Sequence, residues 1–553
     1  MQTIDREQEW KDVHKKTILN ESFVEVSLDI TDPVAVADAE ASDNGAIYIS
    51  DSKSLTNGDE NASVPYCTLE QNLWCLDGSR KAIPETSIDK TSFISDVLSD
   101  DTCVFSGKIP SITIDFDEIH PTLIPGITIT WSSAYNEFAE SFDVIAYKGD
   151  TIVASKGVTG NKTVKSLIFV DIAGYNKIVI LIRKWCLPHH RARVDKVLVG
   201  IHKVYGKSEL FDYSHSQVVD PISLSLPKCE LRFSIDNIEG EYNPYNPHGL
   251  AKYLMERQEV KARYGLKLDD GTIEWIPGGT FFLSEWYAKQ NGLTADFTAR
   301  DLLELLSDIY YDKNPDPDYP NYFYFEERSL YDLATKVLNT AQLPLDSNGN
   351  VRWHIDESLK SITTYAPLPN DTRANCLQLI ANAGMCVLYQ DRKGILRIEP
   401  LKDEVEDYEI NSFNSYSKSE VTLSKPIGKV VVKEYKYRNG ANGIESETID
   451  YYVDVGATGE TIVLDNPLIT YIIDDTGITD FPFVEEVGQW VGAYLSHRMT
   501  LDSSWRADVR LDVLDIVKNK NDYNTNRVRM TEVEFKYNGA FRGTGKGKVI
   551  GNG

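Results

Sequence analysis

Short runs in which apolar and polar residues alternate dominate this chain. Phe23–Ile30 (FVEVSLDI) is the clearest, and six more lie at 112–116, 127–131, 142–147, 151–154, 177–182 and 193–199. Successive side chains of a strand point to opposite faces, so a period of two predicts half-buried β-strands. Turn sequences such as Pro125-Gly126 separate the runs. Many short strands at this spacing predict a β-sandwich or jelly roll, which we place at residues 90–205.

Helical periodicity is limited to a few segments. Four of them have apolar residues at helical spacing: Ala299–Leu306, Ser329–Thr340, Thr372–Ala383 and Glu485–Met499. Ser329 is a typical N-cap, and Gly384 is typical of a helix end. Polar stretches at 310–322 and 402–424 are typical of connections between domains. The sequence therefore predicts a mainly β protein with a smaller α/β part.

The charge balance argues against electrostatic binding of nucleic-acid phosphates. The 553 residues include 84 acidic and 57 basic side chains, for a formal net charge of −27. Nucleic-acid binders usually carry the opposite sign, so we expect no specific nucleic-acid binding. The charged N-terminal stretch predicts no signal peptide, and the short apolar runs predict no membrane insertion. Seven scattered cysteines without CxxC spacing favour reduced thiols and synthesis in a cytosol.

Four motifs suggest chemistry but have simpler interpretations. The glycine-rich segment Gly543–Lys548 lacks the spacing of a phosphate-binding loop, and we interpret it as a terminus turning along a surface. Adjacent histidines on a strand point to opposite faces, so His189 and His190, with His202 downstream, predict no metal site. A solvated acidic ridge explains Asp115, Asp117 and Glu118 better than a glycosidase pair does. A turn explains 346–350 better than a calcium loop does. We predict no catalytic residues, no metal and no cofactor.

Aromatic side chains in the predicted sandwich are candidates for sugar stacking. Trp131 and Trp185 lie in strand patterns and are expected in the core. Tyr135 and Phe138 lie in the loop SSAYNEFAES, and loops often hold ligand contacts in binding modules. The sequence therefore names Tyr135 and Phe138 as possible glycan-binding residues.

Several strings resemble tail-hub or tail-tip proteins of Gram-positive phages and prophages. Gly279–Trp286 (GTFFLSEW), which leads to Phe297–Leu303 (FTARDLL), is the most specific of them. The others are similar to further parts of the same family: 68–79 (TLEQNLWCLDGS), 208–221, 241–247 (EYNPYNP), 253–260, 465–469 and 533–543. Residues 90–205 separately resemble a discoidin-like, carbohydrate-binding jelly roll.

The resemblance implies a hub built from two β-barrel domains that flank a small α/β domain. It divides the chain into an N-terminal β region (1–89), the jelly roll (90–205), a first barrel (206–322), the α/β domain (323–405) and a second barrel with a helix (406–553). It further implies a homotrimeric ring that caps a tail tube in the virion tail. The implied partners are distal tail proteins, tail-tube proteins and the tape-measure protein, with DNA passing through the ring.

Two other functions remain open at this point. One is a carbohydrate-binding host-recognition protein of a phage tail or a cell surface, with host glycan as the partner. The other is a glycan-cleaving enzyme, against which the missing acid/base pair argues. The expected function is structural, without enzymatic activity.

Overall fold

The computed structural model describes most of the chain: residues 8–14, 16, 20–56, 65–81, 93–288, 292–312, 325–345, 350–403, 405–440, 443–474, 477–479, 481 and 483–552. Strands account for 51% of the residues and helices for 13%, so the protein is mainly β, as predicted. In the described part of the chain, no helix is both long enough and apolar enough to cross a membrane. The predicted connection at 310–322 and the predicted turn at 346–350 lie largely outside the described residues.

The first two hundred residues form a β-sandwich and contribute two strands to a larger sheet. The helices are α1 (Gln8–His14) and α2 (Pro33–Asp38). The strands are β1 (Ser22–Thr31), β2 (Glu40–Asp43), β3 (Phe93–Leu98), β4 (Ser111–His120), β5 (Ile124–Thr130), β6 (Ala139–Lys148), β7 (Thr151–Thr159), β8 (Lys165–Ile172), β9 (Tyr175–Trp185), β10 (Arg191–Val194), β11 (Lys196–Leu198) and β12 (Gly200–Tyr205). A five-stranded sheet (β2-β4-β9-β6-β7) packs on a three-stranded one (β11-β5-β8) around a core that includes Trp131 and Trp185. Most of the alternating runs named above fall within single strands, but the run at 127–131 extends one residue past β5, and the run at 193–199 spans β10 and β11.

Two strands bear on the predicted limits of the sandwich. The strand β2 pairs with β4, so residues 40–43 extend the sandwich sheet upstream of residue 90. The strand β12 pairs with β1, so residues 200–205 belong to the larger sheet. Strand pairing therefore interleaves the two units near both predicted limits.

The regular secondary structure of residues 210–310 is mostly β. Their strands are β13 (Leu210–Val218), β14 (Lys228–Asp236), β15 (Glu259–Lys267), β16 (Ile273–Ala288), β17 (Thr294–Arg300) and β18 (Ile309–Tyr310). The predicted helix over Ala299–Leu306 is wrong at its first two residues, because β17 continues to Arg300 in pairing with β14 and β16. Asp301 then accepts a hydrogen bond from the Leu303 N–H and caps a short 3₁₀ helix over Leu302–Leu306.

A small α/β unit follows at 328–399. Its helices are α3 (Leu330–Asn339) and α4 (Arg373–Ala383). Its strands are β19 (Arg328–Ser329), β20 (Trp353–Ile355), β21 (Thr363–Thr364), β22 (Asp371–Thr372), β23 (Val387–Gln390) and β24 (Leu396–Glu399). Both predicted helices are confirmed, and the Ser329 hydroxyl caps α3 by accepting from the Asp332 N–H. At the end of α4 the positive φ falls on Met385 (54°), while Gly384 leaves space because a Cβ there would lie 2.1 Å from Leu359.

The C-terminal region adds one helix and eleven strands. The helix is α5 (Val484–Ser496). The strands are β25 (Val405–Ile410), β26 (Glu420–Leu423), β27 (Ile427–Gly440), β28 (Gly443–Asp454), β29 (Glu460–Thr470), β30 (Ile472–Asp474), β31 (Gly477–Thr479), β32 (Met499–Arg506), β33 (Ile516–Lys520), β34 (Thr525–Tyr537) and β35 (Phe541–Asn552). The helix α5 packs on the separate sheet β28-β27-β29, where Gly488 and Gly492 allow close contact with valines. Two predictions need correction: α5 ends before Met499, which begins β32, and the polar stretch 402–424 contains β25 and β26.

One thirteen-stranded sheet joins the two segments that were expected to form barrels. Its main path runs β12-β1-β15-β16-β17-β14-β13-β34-β35-β32-β26. The pairing of β13 with β34 links the first segment to the second, with Ser214 opposite Lys536 and Val218 opposite Glu532. A common core lies along this sheet and draws residues such as Tyr264, Phe281 and Trp505 from both segments.

The glycine-rich C-terminus is a strand of this sheet, which corrects its prediction as a terminus turning along a surface. The strand β35 pairs with both β34 and β32. Its alternate glycines face large neighbours: a Cβ on Gly543 would lie 2.8 Å from Trp505, and one on Gly547 would lie 2.4 Å from Val528. The glycines therefore make room for neighbouring residues rather than supply flexibility.

Two substitutions in β35 test this requirement. For Gly545→Ala we expect a loss of about 2–3 kcal/mol of stability, because the new Cβ would lie 2.3 Å from the Glu532 carbonyl oxygen. Gly551→Ala is the matched control in the same strand, since no atom lies within 4 Å of its Cβ position. Calorimetry should give a lower Tm for the first variant alone. Equal Tm values for the two variants would contradict the packing argument.

Candidate functional site

The two predicted glycan-binding residues take part in packing within the sandwich. The Tyr135 hydroxyl donates to the Tyr66 carbonyl oxygen at 2.9 Å, and its ring centre lies 5.1 Å from the Arg80 guanidinium and 4.8 Å from that of Arg193. Phe138 is partly buried against the sandwich core. Sugar stacking on these rings stays a prediction, and it would compete with these contacts.

A buried ion cluster lies next to Tyr135. Arg193 donates to both carboxylate oxygens of Glu70, at 2.5 and 2.9 Å, so it holds the loop 65–81 on the sandwich. Burial acts to raise the pKa of Glu70, but the charge and hydrogen bonds of Arg193 outweigh it and lower that pKa. Glu137 accepts from the Trp185 indole at 2.8 Å and lies 2.9 Å from His190 Nδ1. The charged side chains of this cluster therefore have a structural role, because they hold neighbouring segments of the sandwich together.

The histidines and acids that suggested metal or hydrolytic chemistry lie apart. His189 lies 2.8 Å from Asp101, whereas His202 lies 2.5 Å from Asp29 in the larger sheet. Asp115, Asp117 and Glu118 are exposed on β4. Across the described ranges, no group of three or more His, Cys, Asp or Glu side chains is arranged to hold a metal ion.

A basic cleft lies at the junction of three units. Its volume is about 670 Å³. One wall is the three-stranded sandwich sheet, the floor is the outer face of β12, β1, β15 and β16, and the far wall is the turn of the α/β unit. Seven cationic side chains line it: Lys165, Lys196, Lys261, Arg263, Arg352, Arg392 and Lys393. We refer to this feature as the basic cleft.

The alternation of β1 creates the floor of the basic cleft. Val24, Val26, Leu28 and Ile30 are fully buried beneath the sheet. The residues between them, Glu25, Ser27 and Asp29, therefore point to the opposite face, and all three line the cleft. The polar face of β1 is therefore covered by neighbouring units and is not fully open to bulk solvent.

Ion pairs order the floor. Arg263 pairs with Glu25 and lies 4.5 Å from the centre of the Trp275 ring. His202 Nδ1 lies 2.5 Å from the Asp29 carboxylate, which is its cross-strand neighbour. These two contacts hold both acidic residues of the lining in place.

A second set of contacts attaches the α/β unit. The Arg352 guanidinium donates to Glu259 at 3.1 Å, and Lys261 lies 3.1 Å from the same carboxylate group. Gly394 has a φ of 75°, and a Cβ there would lie 2.8 Å from Thr280, so the turn approaches β16 closely. The turn thereby brings Lys393 to the rim of the cleft.

Arg392, in the same turn, is a buried structural contact. Its guanidinium donates to the carbonyl oxygens of Val509 and Leu511 and lies 3.5 Å from Asp512. Only 5% of the residue is exposed. It therefore fixes the α/β unit to the C-terminal segment rather than contributing a mobile charge.

The ladder of the sandwich wall places two lysines in one row. Thr130 on β5 is directly opposite Lys196 on β11 and Lys165 on β8. Directly opposite residues of antiparallel strands share a face, with Cβ atoms roughly 5 Å apart. Lys196, Thr130 and Lys165 therefore form a row across the wall, with the threonine between the two lysines.

Cationic side chains outnumber carboxylates in the described lining of the basic cleft. Burial acts to raise the pKa of Asp29, but His202, followed by Lys196 and Lys261, outweighs it and lowers that pKa to about 2. The described lining holds seven cationic side chains and two carboxylates, on Glu25 and Asp29, and the adjacent acids Glu259 and Asp512 pair with cations of the lining. In a chain of net charge −27, this is a local reversal of sign.

Sequence analysis missed the basic cleft because its cations are dispersed. They come from five separate stretches between residues 165 and 393, and no two of the stretches share a motif. The one available signal was the polar side of β1, which the alternation already placed on a single face.

Known proteins resemble this chain only distantly. No protein-family model matches it, and no curated protein matches it. Among solved structures, it is similar to the 43 kDa tail protein of prophage MuSo2 from Shewanella oneidensis, with 11% identity, a TM-score of 0.41, and coverage of 63% of this chain and 96% of that one. A tail protein from Neisseria meningitidis MC58 has 11% identity and a TM-score of 0.40 over 63% of this chain and 93% of that one. Prophage tail protein gp18 from Listeria monocytogenes EGD-e has 10% identity and a TM-score of 0.37 over 63% and 91%.

The depressed pKa of Asp29 predicts a specific acid sensitivity. Its pKa in the folded protein, about 2, lies below the ordinary 3.8, so the ion pair stabilises the fold above about pH 4. That contribution, about 2 kcal/mol, is lost as the pH falls towards 2. Asp29→Asn should therefore have a lower Tm at pH 6 and lose less Tm between pH 6 and pH 3 than the natural chain.

Asp522→Asn is the control for this experiment. Asp522 pairs with Lys418, but both side chains are largely exposed, so solvent screens the pair. Its Tm should follow that of the natural chain at every pH. Parallel profiles for Asp29→Asn and the natural chain would show that the pair with His202 does not stabilise the fold.

Proposed function

We propose that the chain is a structural subunit of a phage-type tail tip or baseplate hub. One observation carries the proposal: strings that resemble hub proteins, although remote in sequence, lie on neighbouring strands. Gly279–Trp286 lies in β16, Phe297–Leu303 begins in β17, and the string at 533–543 spans the turn from β34 to β35. In the sheet these strands follow the order β16-β17-β14-β13-β34-β35. These three strings therefore lie within one sheet.

The two ends of the large sheet differ in a way that suits assembly. At one end, the sandwich covers β12: the Thr128 hydroxyl accepts from the His202 N–H and donates to the Gly200 carbonyl oxygen, each at 3.0 Å. At the other end, β26 pairs with β32 and has no second partner among the described strands. Val421 and Leu423 on β26 are more than half exposed. An open strand edge with apolar side chains favours pairing with another chain.

In this proposal the sheet segments at 206–322 and 406–553 act as the two hub barrel units, with the α/β unit at 323–405 between them. Three copies would close into a ring by symmetry. The ring would cap the tail tube in the virion tail, contact distal tail, tube and tape-measure proteins, and let DNA pass. The overall acidity supports passage without adhesion, because like charges repel.

The sandwich would lie on the outside of the hub and take part in host attachment or subunit contact. The packing of Tyr135 against Arg80 and Arg193 supports a structural role for its loop. Glycan binding there is the alternative, and the double variant Tyr135→Ala with Phe138→Ala separates the two. Loss of cell-wall binding with normal assembly would favour glycan binding.

We propose no catalytic activity for this subunit. The acids Asp115, Asp117 and Glu118 are exposed on one strand, β4, and none of them lines the basic cleft. Turnover of a cell-wall polysaccharide that Asp115→Asn or Asp117→Asn abolishes would overturn this part of the proposal.

Light scattering on the full chain tests assembly through β26. We expect a trimer whose mass is constant over a wide concentration range. Val421→Lys with Leu423→Lys should shift the population towards monomer, because charged edge strands resist pairing. Ile152→Lys with Val153→Lys on β7, an exposed strand of the sandwich, is the matched control and should remain trimeric. A natural chain that stays monomeric at all concentrations contradicts the ring.

A further inference from the structure

We propose that the basic cleft binds a compact anion with several phosphate groups. This inference does not depend on the tail-hub role, since it rests on the cleft alone. Its centre is the row of Lys196, Thr130 and Lys165 on the sandwich wall, which faces Lys261 and Arg263 on the floor.

Converging charge supplies the attraction. Like charges from three packed units repel one another, and an anion placed among them relieves that repulsion. An anion between several cations gains from each of them, including those that already have a partner within the protein. After the adjacent His202, Lys196 and Lys261 also lower the pKa of the Asp29 carboxylate, so these two lysines already act on a carboxylate in the cleft.

Hydrogen-bonding chemistry favours phosphate over an acidic peptide. The polar lining consists of ammonium and guanidinium groups and of the hydroxyls of Ser27, Thr128, Thr130 and Thr280. Its two carboxylates, on Glu25 and Asp29, already accept from Arg263 and His202. A peptide would bring backbone N–H donors that need acceptors, whereas phosphate oxygens only accept.

Size and surroundings favour a compact ligand over a long polymer. A volume of about 670 Å³ is within the range of small-molecule sites. Outside the cleft, the chain has a large excess of acids, which would repel the remainder of a polyanion. A ligand of three or so phosphate groups would fit inside the positive region.

Binding should also tighten the junction of the units. The cations belong to the sandwich, to the large sheet and to the α/β turn, so a single anion would contact all three. Occupancy should raise the Tm of the full chain, because the ligand stabilises the arrangement that forms the cleft.

Calorimetric titration of the full chain with inorganic tripolyphosphate tests the proposal. At neutral pH and physiological salt we expect one site per chain. Lys165→Gln with Lys196→Gln should weaken binding by about tenfold or more, since two charges beside the ligand are removed. Lys418→Gln with Lys425→Gln, both highly exposed and outside the lining, is the matched control and should bind as the natural chain does.

Further variants and probes distinguish binding of a compact phosphate anion from binding of other anions and from loss of fold. Lys165→Arg with Lys196→Arg should retain binding, and Lys393→Gln alone, at an exposed turn position, should weaken it without loss of fold. A thymidine octanucleotide and a hexaglutamate peptide should both bind more weakly than tripolyphosphate. The proposal is overturned by no binding of tripolyphosphate, by equal loss in the control variant, or by tighter binding of either alternative probe.

Discussion

The pairing of β13 with β34 is the contact on which the architecture depends. It joins strands whose residues lie 320 positions apart in the chain, such as Ser214 and Glu534. Without it, the sheet would divide into two shorter sheets, each with an additional open edge. Because the pairing exists, one core runs beneath strands from both segments, and the N-terminal strand β1 shares that core with the C-terminal β35.

Buried arginines secure the attached units to this sheet. Arg392 fixes the α/β unit by donating to two carbonyl oxygens of the C-terminal segment, and Arg193 fixes the loop 65–81 through Glu70. A planar guanidinium can satisfy two acceptors at once, which suits a junction between irregular segments. Arg392 also affects a neighbouring histidine. Burial, followed by the charge of Arg392, lowers the pKa of His215 to about 3.

The basic cleft is a consequence of these attachments. The sandwich contributes Lys165 and Lys196, the large sheet contributes Lys261 and Arg263, and the α/β turn contributes Lys393. None of these groups is exceptional within its own strand. Their convergence follows from the close approach at Gly394 and from the cover that the sandwich provides over β12.

The sequence by itself determined the mainly β character, the strands of the sandwich and the helices α3 and α4. Alternation and helix caps act between residues that are close in the chain, so their signal is local. It did not determine the strand identity of Gly543–Lys548, whose glycines are explained only by the neighbours Trp505 and Val528. It also did not reveal the basic cleft or the shared sheet. A strand edge can pair with many others, and only the three-dimensional packing of the whole chain selects the partner and brings distant charges together.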